Sequence, residues 1–168
     1  PVLFLWSPAT EATTPAAWVD LRGSRLDNNH STGLIVSGSQ TVVRADGLLL
    51  EDTRPPKGLS YRGRGIVIGE GATVQLRASH LRRNATQAVL VDDAGATLVG
   101  ERLLIEDTLD SAGKDYGVGV MVANRAWGIL SDVTILRSAH MGLLVSGEGS
   151  RASLQSIRID NGGLKTLN

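Results

Sequence analysis

Leu49-Leu50-Glu51-Asp52-Thr53 returns as Leu104-Ile105-Glu106-Asp107-Thr108, 55 residues further on, and this return decides the fold. The apolar residue at its centre belongs to a longer series. The series runs Leu26, Leu50, Leu81, Ile105, Ile135 and Ile159, in steps of 24, 31, 24, 30 and 24. A second series sits inside apolar triplets led by glycine or alanine. It runs Val36, Ile68, Val91, Val122 and Val145, in steps of 32, 23, 31 and 23. From first to second anchor the distances are 10, 18, 10, 17 and 10; from second anchor to the next first anchor they are 14, 13, 14, 13 and 14. One arc is constant and the other alternates between short and long. The unit is therefore a pair of coils, about 54 residues long.

A fixed period of this length means stacked coils that bury a common core. The leucine signature of a leucine-rich repeat is missing, and no helical spacing of apolar residues is sustained. Neither the Gly-Gly-x-Gly-x-Asp nonapeptide nor a left-handed hexapeptide repeat occurs. The expected fold is all-β: a single-stranded right-handed parallel β-helix, or solenoid, of about six coils of 23–32 residues in two-coil units. Its handedness follows the crossover rule for parallel strands. The expected boundaries are 1–15 for an N-terminal cap or a remnant of a preceding segment, 16–163 for the β-helix and 164–168 for the tail of a truncated coil.

Side chains alternate faces along a strand. Seven residues before each first anchor lie Val19, Val43, Val74, Leu98, Gly128 and Ala152. Five before lie Leu21, Ala45, Leu76, Gly100, Leu130 and Leu154, and two before lie Ser24, Leu48, Ser79, Leu103, Val133 and Ile157. The last two columns compensate in volume: small Ala45 and Gly100 go with Leu48 and Leu103, and Leu21 and Leu76 go with Ser24 and Ser79. A core of fixed cross-section demands that balance. Both columns point inward only if the chain bends between them. Three residues after the anchors, Asn29, Asn84 and Ser138 are read as left-handed corner residues, a conformation that asparagine tolerates.

Composition narrows the function classes. The 17 basic and 17 acidic residues cancel, which gives no electrostatic footprint for nucleic acid. Six aromatic residues make stacking platforms scarce. There is no cysteine, hence no disulfide and no thiolate metal site. No apolar run approaches the roughly 18 residues of a membrane span. Val2-Leu3-Phe4-Leu5-Trp6 is too short for the core of a signal peptide. The chain opens on Pro1, so a processed or excised piece is expected.

The segments Ser79-His80-Leu81-Arg82-Arg83-Asn84, Gly95-Ala96-Thr97-Leu98, Glu51-Asp52-Thr53-Arg54-Pro55 and Gly63-Arg64-Gly65-Ile66 carry a resemblance. Over residues 16–163 the chain resembles the pectate-lyase-like superfamily of right-handed β-helix proteins, in particular tandem-repeat β-helix proteins of bacteria. That resemblance implies a secreted or cell-surface location. It implies no single activity, because the fold hosts lyases, hydrolases, epimerases, adhesins and binding proteins. The catalytic segments of polygalacturonases and pectate lyases do not carry over. Asp92-Asp93 and Arg158-Ile159-Asp160 are similar to parts of them and lack the right companions.

Two surface features are singled out. The long arcs, 54–64 and 109–117, lie two coils apart on the same side of the rod, and loops on a rigid scaffold commonly hold function. Their Tyr61, Arg62, Arg64, Lys114, Asp115 and Tyr116 are the candidates for edging a groove that takes an acidic or neutral glycan. Decorative loops capping the intervening coil are the plainer alternative. The triplet strands supply the second feature. Their middle residues, Ile35, Val67, Leu90, Met121 and Leu144, would form an outward apolar stripe, a surface for a protein partner or self-association. The long arcs, the Leu3-Phe4-Leu5-Trp6 segment or another chain would cover it. Asp92 and Asp93 read as a polar turn or a carboxylate pair, and His30, His80 and His140 as exposed turn residues. No metal site and no cofactor are expected, with bound calcium left open. The expected function is an extracellular scaffold or binding module for a glycan or a protein. A polysaccharide lyase or glycoside hydrolase with its groove between the arcs is the alternative.

Overall fold

A computed structural model describes residues 3–6, 17–59, 62–110 and 117–160 of the chain. Its strands are β1 (Leu3–Trp6), β2 (Trp18–Arg22), β3 (Arg25–Asp27), β4 (Thr32–Ser37), β5 (Val42–Asp46), β6 (Leu49–Glu51), β7 (Arg64–Gly69), β8 (Thr73–Arg77), β9 (His80–Arg82), β10 (Gln87–Val91), β11 (Thr97–Glu106), β12 (Val118–Ala123), β13 (Trp127–Leu136), β14 (Met141–Ser146) and β15 (Arg151–Asp160). Every ladder is parallel, and the chain alternates between two sheets. The fold is a parallel β-solenoid.

The solenoid has three walls. Wall one is the six-stranded sheet β1-β4-β7-β10-β12-β14. The other sheet bends along its length. Its first half (β2, β5, β8 and the start of β11, β13 and β15) is wall two, and its second half is wall three. The expected bend is present, three residues before each first anchor. Gly23, Gly47, Ala78, Arg102, Asp132 and Ser156 stand there with φ between 45° and 69°. One left-handed residue reverses the facing, so the columns on either side of it both reach the core.

The anchors form the predicted ladders. Leu26, Leu50, Leu81, Ile105, Ile135 and Ile159 pair in register. Leu50, Leu81, Ile105 and Ile135 are fully buried, as are Val36, Ile68, Val91 and Val122 of the second series. Among the described residues no strand pairs with the far side of β14 or β15, and Val145, Leu154 and Ile159 are exposed there. The segment Leu3–Trp6 is a strand of wall one: it continues the sheet beside β4 and does not lie over the apolar stripe.

The asparagine corner needs correction. The left-handed residues of the second corner are Asn28, Asp52, Arg83, Asp107 and Arg137, with φ between 51° and 56°. They lie one position earlier than expected. Asn29, Thr53, Asn84, Thr108 and Ser138 follow them and turn inward, all buried. These side chains form a polar column inside the rod, and most of their polar atoms make no protein hydrogen bond. The corner dihedral decides this: after a left-handed residue the next side chain faces the core, whatever its polarity.

Candidate functional site

The first long arc begins where β6 ends. Asp52 is left-handed, and Arg54 still bridges to His30 of the preceding coil. Pro55 and Pro56 follow. Neither donates to a ladder, and both hold the chain extended, so it leaves the wall. Leu59 N–H donates to Pro56 C=O at 3.0 Å, with Gly58 at φ 81°, a turn of the kind that demands glycine at its third position. The arc returns at Gly63, where an added Cβ would come within 2.7 Å of the Ala85 Cβ. The second arc leaves β11 in the same way, through left-handed Asp107 and buried Thr108. Leu109 then donates its N–H to Asn84 C=O at 2.8 Å.

The two arcs share one cavity of about 690 Å³. Arg54, Pro55, Pro56, Lys57 and Gly58 form one side, and Leu109 and Asp110 the other. Asp52, Arg83 and Ala85 form the floor. Arg83 and Ala85 belong to the short-arc coil between the two long ones, so the cavity exists because that coil stays low. The lining is mainly apolar, with cationic Arg54 and Lys57 exposed at one edge.

The floor is electrostatically locked. Arg83 donates Nε to Asp52 Oδ1 at 2.9 Å and Nη2 to Asp52 Oδ2 at 2.7 Å. The same Nη2 donates to Glu51 Oε2 at 2.7 Å, where Arg82 Nε donates as well, at 2.6 Å. Arg25 Nη2 stands 2.9 Å from Glu51 Oε1. The Arg83 bond holds the Asp52 carboxyl below its ordinary range, and the Arg82 bond does the same for Glu51. The device repeats one unit on. Arg137 binds Asp107 through Nε at 2.6 Å and Glu106 through Nη2 at 2.6 Å, and Asp107 is likewise lowered by Arg137. Such carboxylates accept hydrogen bonds and stay ionised; they are poorly suited to donating a proton near neutral pH.

The groove candidates separate. Tyr61, Lys114, Asp115 and Tyr116 lie outside the described residues. Arg62 is exposed, and its Nη1 donates to Ser31 Oγ at 3.4 Å. Arg64 is the first residue of β7, so the arc ends before it, and its Nε donates to Gln87 Oε1 at 3.0 Å on wall one. Neither lines the arc cavity. Sequence reasoning missed Asp52, Arg83 and Ala85, which come from the corners of neighbouring coils. It also passed over Pro55, Pro56 and Lys57 in favour of the aromatic and charged residues further along the arc.

The apolar stripe is a single column. Ile35 pairs with Val67, Val67 with Leu90, Leu90 with Met121 and Met121 with Leu144, all on the outer face of wall one. Phe4 holds the matching register position in β1. Stacked neighbours shield one another, so four of the five are half-buried and Leu90 is 7% exposed. Leu90, Met121 and Leu144 line a shallow concavity of about 340 Å³, rimmed by Arg64, Gln87, Asp92 and Asn124.

His80 and Asp92 are held in contacts with the next coil. His80 Nε2 lies 2.8 Å from Glu106 Oε1. Asp92 Oδ1 accepts from Asn124 Nδ2 at 2.7 Å, and Asp93 is left-handed in a turn at φ 74°. Among the described residues no group of three or more histidine, aspartate or glutamate side chains is placed to hold a metal ion. Among them, too, no helix is long and apolar enough to cross a membrane.

Fold and site thus define the class, a parallel β-solenoid with a loop-walled cavity at one corner. No family model matches the chain, and no curated protein or solved structure does.

Proposed function

We propose that this chain is a non-catalytic binding module that takes an acidic or neutral glycan in the cavity between its long arcs. One observation carries the reading: two arcs far apart in sequence wall a single cavity of about 690 Å³ on a rigid scaffold. Pro55, Pro56 and Leu109 offer apolar contact to a sugar face, while Arg54 and Lys57 offer charge to an acidic substituent. Arg83 occupies Asp52, the carboxylate in the cavity floor, which supports binding over acid–base chemistry there. A bacterial, extracellular setting follows from the resemblance to bacterial repeat β-helices of the pectate-lyase-like superfamily.

The test is a glycan array on the intact protein, run beside a lyase and hydrolase screen. Binding without product release is expected, and Lys57→Ala and Leu109→Ala should each weaken it about tenfold, the loss of roughly 1.4 kcal/mol. Release of unsaturated or reducing ends would favour the enzyme alternative instead.

The in-register stripe favours a second reading, a protein partner or self-association on wall one. Met121→Lys would then abolish a dimer seen by sedimentation and leave glycan binding intact. A monomer at all concentrations removes self-association.

A further inference from the structure

Trp18 and Trp127 are 109 residues apart in sequence and lie in one column of the rod. The register on the outer face of wall two runs Trp18, Val42, Thr73, Thr97, Trp127, Arg151. Four coil steps separate the two rings, about 19 Å at parallel-strand spacing. Trp18 is 55% exposed and Trp127 47%. One exposed apolar side chain needs no explanation, but two large rings on one line of a sheet face suggest a ligand that covers both.

The surroundings say which kind. Trp18, Asp20, Arg22, Arg44, Asp46, Gln75 and Arg77 line a shallow concavity of about 330 Å³. The Arg44 guanidinium lies 5.7 Å from the Trp18 ring centroid and steadies it by a cation–π contact. Two outward columns further along the wall, the charge alternates through Arg22, Asp46, Arg77 and Glu101. Its fields cancel, which suits a neutral ligand. Thr73 and Thr97 interrupt the line between the rings. A protein interface has a contiguous apolar core; these rings are separate platforms, with Asp20, Arg44 and Gln75 beside Trp18 and with Thr97, Arg151 and the aliphatic Ile129 beside Trp127. A pyranose ring has the complementary form: a C–H face that stacks on the negative face of an indole, and a rim of hydroxyls.

We propose that wall two binds an unbranched, neutral polysaccharide chain lying along the rod axis, with sugar faces stacked on Trp18 and Trp127. This site does not depend on the arc cavity, because the two concavities share no lining residue. The two sites are told apart by their residues: Lys57 and Leu109 belong to the arc cavity, Trp18 and Trp127 to wall two.

The intact protein is titrated with xylan- and cellulose-derived oligosaccharides and followed by tryptophan fluorescence and calorimetry. Saturable binding is expected, insensitive to added salt. Trp18→Ala or Trp127→Ala should weaken it at least tenfold with an unchanged melting temperature. Thr73→Trp sets a ring midway between the two and should tighten it. Lys57→Ala, a change in the arc cavity, should leave the tryptophan fluorescence response as it was. The proposal is overturned by the absence of saturable binding, by binding that both alanine variants retain, or by a fluorescence change that raising the protein concentration alone produces, which would mean that a second copy covers the face.

Discussion

At the residue scale, Glu51 is the most consequential side chain outside the apolar core. It is buried, with side-chain exposure of 1%, and has Arg25, Arg82 and Arg83 around it. A buried carboxylate persists only when paired. The folded-state values of Glu51, Asp52 and Asp107 all lie below their ordinary ones, through bonds to Arg82, Arg83 and Arg137 respectively. In the unfolded chain they regain values of about 4. Their contribution to stability is thus fully present above that value and is lost as pH falls through the lower, folded-state values. The melting temperature, followed by circular dichroism, should be flat from neutral pH down to about 5 and should fall steeply below about 4. Glu51→Gln should lower the neutral plateau and flatten the acid slope. A variant with the wild-type slope would show that Glu51 is not among the groups responsible.

At the element scale, the triplet strands explain their own lead residues. The positions before the apolar triplets are Gly33, Gly65, Ala88, Gly119 and Gly142. A Cβ on Gly65 would sit 2.4 Å from the Ala88 carbonyl oxygen of the next coil, and one on Gly119 would sit 2.5 Å from that of Gly142. The obstacle is backbone, which cannot swing aside. Gly65→Ala should therefore destabilise by about 1–3 kcal/mol, as overpacking does. Ala78 is the converse. It holds φ 45° at the bend between walls two and three, where three of the six coils carry neither glycine nor aspartate. Left-handed backbone costs an ordinary residue about 1–2 kcal/mol, and glycine's extra unfolded-state entropy offsets part of the relief. Ala78→Gly should raise stability by about 0.5 kcal/mol. Urea unfolding of both variants checks the opposite signs. A stabilised Gly65→Ala would mean that the coils separate more easily than their ladders imply.

At the scale of the whole molecule, the core keeps its cross-section by exchanging volume between two columns. A Cβ on Gly100 would lie 2.7 Å from Leu103 Cδ1 and 2.9 Å from Leu130 Cδ2. One coil back, Leu76 is large and Ser79 small, and Ser79 Oγ donates to Arg77 C=O at 2.8 Å while accepting from Leu48 N–H at 3.1 Å. Gly100→Leu alone should cost about 1–3 kcal/mol. Adding Leu103→Ser should return part of it, because the pair then copies the Leu76 coil. A double-mutant cycle measures the coupling, and strict additivity would refute volume exchange. In the same core, Leu81→Asp should cost about 2–5 kcal/mol or more, since it adds an unpaired charge to a lost anchor. The candidate sites divide by wall on this rod: the arcs leave from the corner after wall three, the apolar stripe runs down wall one, and the tryptophans stand on wall two.

The sequence by itself determined the coil count, the two-coil unit, the anchor ladders, the bend and the apolar stripe. All of these follow from distance along the chain, because a solenoid turns linear spacing directly into position around the coil. The tryptophan column was legible in the same way, at eight residues before Leu26 and Ile135, although a count of aromatic residues hides it. Only the tertiary structure decided that Asn29 and Asn84 face inward, that Arg83 clamps Glu51 and Asp52, and that Arg83 and Ala85 floor the arc cavity. Those outcomes depend on dihedral angles at single corner residues and on contacts between coils 30 or so residues apart, set by side-chain reach and backbone sterics that spacing does not encode.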